Sequence, residues 1–401
     1  MNIKEIEDKR FMRVYKRDNL VVKKAKNQFI WDDKGKKYLD FFAGISVCNL
    51  GHCNDKVVKA VKSQLDSFAH ISNLYYASVQ VKLGEELIKR AFPGARVFLA
   101  NSGAEANECA IKLARKWGYL NPSKLGNRYE IICFNNSFHG RTMATMAATG
   151  QKKFHEYLKP LQEKFVFAEF NDINSVKKLI NNRTVAVMIE PIQGEGGIIP
   201  AEKKFLKELR ILCDKNNLLL IFDEIQCGVG RTGKFYAFES YGVKPDIVTM
   251  AKSLANGLPL GATIAGKKCA DAFTYGDHGS TFGGNPVSCA AALAVSKTMT
   301  VKFLHNSSKL AEYLRKMLEV LKNKYSIIKE VRGVGLILGI DLTINGKDIV
   351  NYCLEKGLIV NCTHDTILRL LPPLIITKKD VDCAMKILEE ALKWRVKILK
   401  K

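Results

Sequence analysis

The strongest constraint on the fold is an alternation of short apolar runs and helical periods between residues 95 and 265. Each run has four or five mainly apolar residues, as is typical of a strand buried on both faces of a sheet. Strands that alternate with helices pair in parallel, and the helices cover the sheet. We therefore predict an α/β fold with a mostly parallel sheet built from residues 97–100, 131–134, 185–189, 218–222, 247–250 and 262–265.

The two ends of the chain predict a second, smaller unit. Residues 20–42 contain the short apolar runs of a meander, and the last 75 residues mix strand-like runs with helices. A chain of 401 residues is long enough for two domains. We expect residues 1–50 to form an N-terminal arm and part of a small α+β domain, residues 51–300 the large domain, and residues 301–401 the rest of the small domain.

Composition argues against several classes of function. No apolar run approaches the roughly 20 residues of a membrane span, and the charged N-terminus lacks the apolar core of a secretory signal. The 11 cysteines are scattered singly, which indicates reduced thiols in the cytoplasm and no metal site. The net charge of +23 is spread along the whole chain with no basic–aromatic run, so we expect a basic surface and no nucleic-acid partner.

Two predicted strands end on chemistry-bearing residues. The run 218–222 stops on Asp223 and Glu224, and the run 247–250 leads to Lys252. Sheets of this kind bind their ligands at the carboxyl ends of the strands. There, burial in a cleft can lower the pKa of a lysine, even one that faces an aspartate, and let it form an imine with an aldehyde. From these residues alone, the pair is either two solvated strand ends or half of an active site.

Three further stretches follow predicted strands. Residues 101–107 open a helix, where backbone N–H groups and the Ser102 hydroxyl would favour an anion such as phosphate. Phe138 could stack on a flat ring, and Arg141 could clamp a carboxylate. Residues 190–197 combine two acids with glycines that let the backbone approach a ligand. Each stretch taken singly also fits an ordinary helix start, core aromatic or tight loop.

Together these features suit one ligand, pyridoxal phosphate. Its ring nitrogen needs a buried carboxylate, its aldehyde a lysine, and its phosphate N–H donors. A second loop rich in glycine, serine and threonine, residues 278–285, is also suited to an anion. By contrast, residues 228–233 match G-x-G-x-x-G without a helix directly after them, so we interpret them as a turn rather than a dinucleotide site.

The ordered motifs SGAEANE, FHGRT, EPIQGEGG, LLIFDEIQCGVGRTG, PDIVTMAKSLANGLPLGA, HGSTFGGNP and LRLLPPLIIT resemble the class III (ornithine/GABA-type) pyridoxal-phosphate aminotransferases, over residues 12–395. The resemblance implies fold type I and transfer of an ω-amino group to 2-oxoglutarate. Within the class it favours N2-acetylornithine, because residues 42–47 lack the tyrosine with which ornithine aminotransferases bind the free α-amino group. N-succinylornithine, N-succinyl-diaminopimelate, ornithine and GABA stay open as alternatives, as does a mutase or racemase on the same scaffold.

The resemblance also assigns roles to single residues. For the cofactor it implies an imine with Lys252, a ring-nitrogen partner in Asp223 and a ring-hydroxyl partner in Gln226. Phe138 would stack on the ring. The phosphate would contact Ser102, Gly103 and Ala104, and Thr281 would reach it from the second subunit of a homodimer. For the substrate it implies contacts from Arg141 and Ser280, and a Glu195–Arg369 ion pair that opens for glutamate. Two departures are Ala104, where the family often has threonine, and the segment VCNLGHCND, which lacks a His-Pro.

Overall fold

A computed structural model describes residues 3–156, 158–162 and 164–399. The strands are β1 Val22–Lys26, β2 Phe29–Asp32, β3 Lys37–Asp40, β4 Arg96–Ala100, β5 Glu130–Phe134, β6 Phe165–Ala168, β7 Thr184–Ile189, β8 Ile192–Gln193, β9 Ile199–Pro200, β10 Leu219–Asp223, β11 Ile247–Met250, β12 Gly261–Ala265, β13 Ile328–Val334, β14 Ile337–Leu342, β15 Leu358–Ile359, β16 Asn361–Thr363 and β17 Ile367–Leu370.

The α-helices are α1 Ile3–Arg10, α2 Ala43–Ser46, α3 Asp55–Ser67, α4 Ser78–Ala91, α5 Gly103–Leu120, α6 Met143–Ala148, α7 Ile173–Leu179, α8 Lys203–Lys215, α9 Phe238–Tyr241, α10 Pro286–Thr298, α11 Val301–Lys324, α12 Lys347–Glu355 and α13 Lys378–Leu399. Short 3₁₀ turns cover Lys152–Phe154 and Lys252–Ala255. Among the described residues, no single helix is long and apolar enough to cross a membrane. Helices α10 and α11 taken together have the necessary length and composition, but the pair is bent by 74°.

A seven-stranded sheet in the order β4-β12-β11-β10-β7-β5-β6 confirms the predicted mostly parallel α/β fold. All six predicted runs are strands of this sheet, and only β12 is antiparallel to its neighbours. The ten residues 251–260 between β11 and β12 explain the exception, because a parallel crossover needs about a dozen residues or more. This short connection carries Lys252.

The sheet is buried on both faces. In β10, Leu220 and Phe222 belong to one hydrophobic cluster, whereas Leu219 and Ile221 belong to another. Successive side chains of a strand point to opposite faces, so the two clusters lie on opposite sides of the sheet. This explains why the strand is a continuous apolar run in the sequence rather than an alternating one.

Both ends of the chain contribute to a second sheet. The N-terminal meander β1–β3 is joined by β15 from the C-terminal region in the order β1-β2-β3-β15. A third sheet, β13-β14-β17-β16, is antiparallel and carries Arg369 on β17. The domain bounds given above remain a prediction. Helix α11 begins at Val301, because the Thr300 side chain caps it by accepting a hydrogen bond from Phe303 N.

The G-x-G-x-x-G stretch forms consecutive turns that hold the fold together. Its Arg231 is fully buried, and burial lowers the pKa of its guanidinium to about 9. The guanidinium donates to the Ser46 hydroxyl (2.9 Å), to the carbonyls of Leu336 (3.0 Å) and Pro372 (2.5 Å), and to the Asn49 amide oxygen. Arg231 therefore ties the large sheet to the N-terminal segment and to the chain just beyond β17.

Candidate active site

A cavity of about 440 Å³ lies at the carboxyl ends of β10 and β11. It brings together nine of the twelve residues expected at the site, namely Ser102, Gly103, Ala104, Phe138, Arg141, Glu195, Asp223, Gln226 and Lys252. These residues come from five separate stretches of sequence, so the tertiary fold assembles the group. The other three, Ser280, Thr281 and Arg369, do not line this cavity.

Asp223 is held rigidly at the end of β10. Its Oδ2 accepts a hydrogen bond from Asn107 Nδ2 (2.8 Å) and lies 2.8 Å from His139 Nδ1, while Oδ1 accepts from Ile225 N (3.1 Å). The Thr249 hydroxyl donates to the Asn107 amide oxygen (2.7 Å), which orients the amide NH₂ toward Asp223. The carboxylate therefore has one fixed orientation in the cavity.

His139 and Asn107 have no assigned role in the sequence prediction. His139 is buried, and its Nε2 has no partner among the described residues. Its position beside Phe138 in the FHGRT motif was the available signal, whereas Asn107 looks like any polar residue of α5. Only the packing of α5 against the sheet shows that both support Asp223.

Lys252 opens the 3₁₀ turn after β11 and has a φ of +45°. This left-handed conformation is uncommon for a residue other than glycine and concentrates at functional sites. Burial lowers the pKa of the Lys252 amine, and the negative charge of Glu195 opposes this effect. A lowered pKa increases the neutral, nucleophilic fraction of the amine.

The first turn of α5 forms an anion cradle. Ser102 caps the helix by accepting a hydrogen bond from Glu105 N (3.2 Å), and Gly103 and Ala104 line the cavity. Helix geometry leaves the N–H groups of this turn without intrahelical partners, and the helix dipole favours an anion there. A Cβ at Gly103 would come within 2.8 Å of the Ile225 side chain, so any other residue there would require that side chain to shift.

Glu190 connects two loops of the site. Its Oε1 accepts from Phe138 N (2.8 Å) and its Oε2 from Gly194 N (3.0 Å). Burial raises the pKa of this carboxyl to about 7. The sequence indicated an acid in a glycine loop; the structure shows that Glu190 fixes the Phe138 backbone and the loop that carries Glu195.

Arg369 and Glu195 form an ion pair at the side of the cavity. Arg369 is 2% exposed, and its Nη1 lies 2.5 Å from Glu195 Oε1. Burial alone would raise the pKa of Glu195, but the charges of Arg369 and Lys252, together with the hydrogen bonds from Arg369 and Gln226, lower it. Gln226 touches both partners, because its Nε2 donates to Glu195 Oε1 (3.3 Å) and its Oε1 accepts from Arg369 Nη1 (3.5 Å).

The cleft continues outward from the cofactor-sized cavity. A neighbouring cavity of about 660 Å³ shares Phe138, Arg141, Glu195 and Lys252 with the first. The Arg141 guanidinium carbon lies 4.0 Å from the centre of the Phe154 ring. Arg141 is therefore placed where the far end of an elongated molecule bound at Lys252 would lie.

Ser280 and Thr281 are not brought to this cleft. Both line a different cavity, and the Ser280 hydroxyl oxygen accepts from Asn101 Nδ2 (3.2 Å) and Gly283 N (2.9 Å). Thr281 is exposed. Within one subunit, neither residue lines the cavity that contains Lys252.

Comparison with known proteins decides the family. A family model described as aminotransferase class-III matches residues 12–392. The chain is a class-III aminotransferase. It is 49% identical over 389 residues to the acetylornithine aminotransferase of Methanocaldococcus jannaschii (96% of each chain), and 45% identical over 388 residues to that of Caldanaerobacter subterraneus (96% of this chain, 98% of the other).

Solved structures of aminotransferases share the fold. The ornithine aminotransferase of Toxoplasma gondii matches with a TM-score of 0.93 at 30% identity, covering 98% of this chain and 95% of the other. The N-acetylornithine aminotransferase of Stenotrophomonas maltophilia matches with a TM-score of 0.83 at 35% identity, covering 98% and 99%. The expected fold type I of pyridoxal-phosphate enzymes is confirmed for this class-III aminotransferase.

Class-III aminotransferases depend on pyridoxal phosphate, and the site residues fit that cofactor. A fixed carboxylate, an amine, an aromatic ring and a helix N-terminus line one cavity. Asp223 would hold the ring nitrogen, Lys252 the aldehyde carbon, Phe138 the ring face and the first turn of α5 the phosphate. When bound, the cofactor supplies an electron sink for charge that develops beside the substrate nitrogen.

Proposed function

We propose that this class-III aminotransferase transfers the δ-amino group of N2-acetyl-L-ornithine to 2-oxoglutarate, giving N-acetyl-L-glutamate 5-semialdehyde and L-glutamate, as in arginine biosynthesis. The observation that carries the proposal is the identity of 42–49% over nearly the whole chain to several acetylornithine aminotransferases. The expected cytoplasmic location is part of the same proposal.

The proposed roles follow from where each side chain lies. Lys252, as a neutral amine, would take a proton from the substrate carbon that carries the transferred amino group. It would return the proton two atoms away, as a 1,3-proton shift requires. Asp223 would keep a proton on the ring nitrogen, and Gln226 would contact the ring hydroxyl. Arg141, in the outer cavity, would hold the carboxylate at the far end of the substrate through a paired hydrogen bond.

Two substrates of different shape must share this cleft. Acetylornithine carries its carboxylate far from the reacting amine, whereas glutamate carries one carboxylate beside it and one distant from it. We propose that the Glu195–Arg369 pair stays closed for acetylornithine and opens for glutamate, whose α-carboxylate then replaces Glu195. An unpaired buried arginine is costly, so a switch of partners is physically favoured over a permanently free cation.

Replacing Glu195 with glutamine is expected to favour glutamate. The neutral amide cannot neutralise Arg369, so the closed state is weakened while glutamate still supplies its own carboxylate. We expect the ratio of single-turnover rate constants, glutamate over acetylornithine, to rise about tenfold, as for loss of one charged hydrogen bond. The exposed Glu202→Gln is the matched control; an unchanged ratio in Glu195→Gln would contradict the switch.

We propose a homodimer with shared active sites. Ser280 and Thr281 lie outside their own chain's cleft, beside exposed apolar side chains, Leu74 at 89% and Phe282 at 60%. Such a patch marks an interaction surface. In the dimer, Thr281 of the partner subunit would reach the phosphate. Light scattering should give twice 44.9 kDa, and a monomeric mass for the active enzyme would rule the arrangement out.

The substrate proposal is tested by the visible spectrum of the holoenzyme. Each amine is added in turn, and the true donor should abolish the absorption band of the bound cofactor at the lowest concentration. We expect N2-acetylornithine to have the highest kcat/KM, ahead of N-succinylornithine, N-succinyl-diaminopimelate, ornithine and GABA. A higher kcat/KM for one of these would replace acetylornithine as the donor. No conversion of 2-oxoglutarate to glutamate would exclude aminotransfer.

A further inference from the structure

The edge strand β16 contacts both members of the Glu195–Arg369 pair. It pairs with β17, and Asn361 lies directly opposite Arg369 in the register. The Asn361 amide oxygen accepts a hydrogen bond from Arg369 Nη2 (2.9 Å). At the other end of the strand, the Thr363 hydroxyl donates to the backbone carbonyl of Glu195 (3.2 Å).

These contacts constrain Glu195 and Arg369 in different ways. The Glu195 backbone is anchored by Thr363, so opening the pair requires movement of the Glu195 side chain alone. Arg369 has a second contact at Asn361, which does not depend on Glu195. When Glu195 leaves, the guanidinium therefore keeps the hydrogen bond to Asn361 (2.9 Å), which is shorter than its remaining contact with Gln226 Oε1 (3.5 Å).

The chemistry of the Asn361 contact suits this task. The three guanidinium nitrogens have different partners: Nη1 donates to Glu195 and, at 3.5 Å, to Gln226, Nη2 donates to Asn361, and Nε is buried with no partner among the described residues. A neutral amide oxygen accepts from Nη2 without neutralising the cation. The positive charge, the freed Nη1 and the unpaired Nε then remain available to an incoming carboxylate.

We propose that Asn361 is a positioning residue for the glutamate half-reaction, holding the Arg369 guanidinium in place while Glu195 is exchanged for the α-carboxylate of glutamate or 2-oxoglutarate. This inference rests on the proposed function of the Glu195–Arg369 pair. In the acetylornithine half-reaction the pair stays closed and Glu195 itself holds Arg369. Asn361 therefore acts on one half-reaction and is nearly silent in the other.

The test is the holoenzyme variant Asn361→Leu, which has a similar volume and no acceptor. We expect the KM for 2-oxoglutarate and glutamate to rise about tenfold, as for loss of one hydrogen bond to a charged group, with little change in kcat. The single-turnover rate with N2-acetylornithine should stay within about twofold of wild type. Asn361→Asp should also raise the KM for both dicarboxylates, because its carboxylate would compete for Arg369.

Cys362→Ala is the matched control for damage to the strand. Cys362 lies between Asn361 and Thr363, and its sulfur packs against Gly346, away from the pair. We expect it to leave both half-reactions unchanged. Equal slowing of both half-reactions in Asn361→Leu would show that the residue has only a structural role and would overturn the proposal. An unchanged KM for 2-oxoglutarate in this variant would overturn it too.

The two proposals fail in distinguishable ways. The wild-type reaction with a panel of amines tests the donor, whereas the variant-to-wild-type ratio with glutamate tests Asn361. If wild type rejects N2-acetylornithine but accepts another ω-amine, the donor assignment falls, and that amine serves as the reference for Asn361→Leu. A wild-type enzyme that does not react with glutamate would overturn both.

Discussion

Replacing Lys252 with alanine is expected to lower the rate of aminotransfer by about 10⁴-fold, the upper end for loss of a general acid–base group. The Lys252 amine is buried in the cavity that also contains Asp223, and the left-handed φ of +45° aims it from the end of β11. Among the described residues, Lys252 is the one lysine that lines this cavity.

The measurement for Lys252→Ala is the single-turnover rate with glutamate, together with the amount of cofactor retained by the protein. Lys244→Ala, an exposed lysine just before β11, is the matched control and should keep wild-type rates. Circular dichroism would verify that both variants are folded. A rate for Lys252→Ala within about tenfold of wild type would contradict the assignment, since loss of a general acid–base group costs at least about 10²-fold.

Replacing Asp223 with alanine is expected to lower kcat by about 10²- to 10³-fold, as for loss of a preorganised charge in a water-excluded site. Asn107 and His139 hold this carboxylate in one orientation, so its charge is fixed before the substrate arrives. Without it, the ring nitrogen would have no anionic partner to keep its proton.

Both kcat and cofactor retention after dialysis should be measured for Asp223→Ala. The exposed Asp214→Asn, at the end of α8, removes one negative charge from the surface and should leave both quantities unchanged. An Asp223→Ala enzyme that keeps its cofactor and its kcat would show that the carboxylate is not the partner of the ring nitrogen.

The candidate site was partly predictable because several of its parts are local in the sequence. Asp223 and Lys252 directly follow apolar runs, and Ser102 precedes a helical period, so each is recognisable from its neighbours. Glu190 was visible as an acid but not as a connector, because its partners Phe138 and Gly194 are set by how two loops pack. Asn107 and Asn361 had no local signal of their roles, and His139 had only its position beside Phe138.

For the loop that carries Ser280 and Thr281, the sequence indicated the chemistry but not the position. Their loop was suited to an anion by composition, yet it lies outside the cleft of its own chain. Composition describes what a loop can bind and does not describe which site it reaches. Because the loop lies outside the cleft of its own chain, its contribution to the site depends on the proposed second subunit.

By itself, the sequence determined the α/β fold, the strand ends that carry Asp223 and Lys252, and the chemistry of the cofactor, because buried strands and helix starts leave local patterns. Only the tertiary structure decided which side chains hold these residues in place. Asn107 meets Asp223 across 116 positions, and Arg369 meets Glu195 across 174. Contacts over such distances arise when whole elements pack, and no local pattern encodes them.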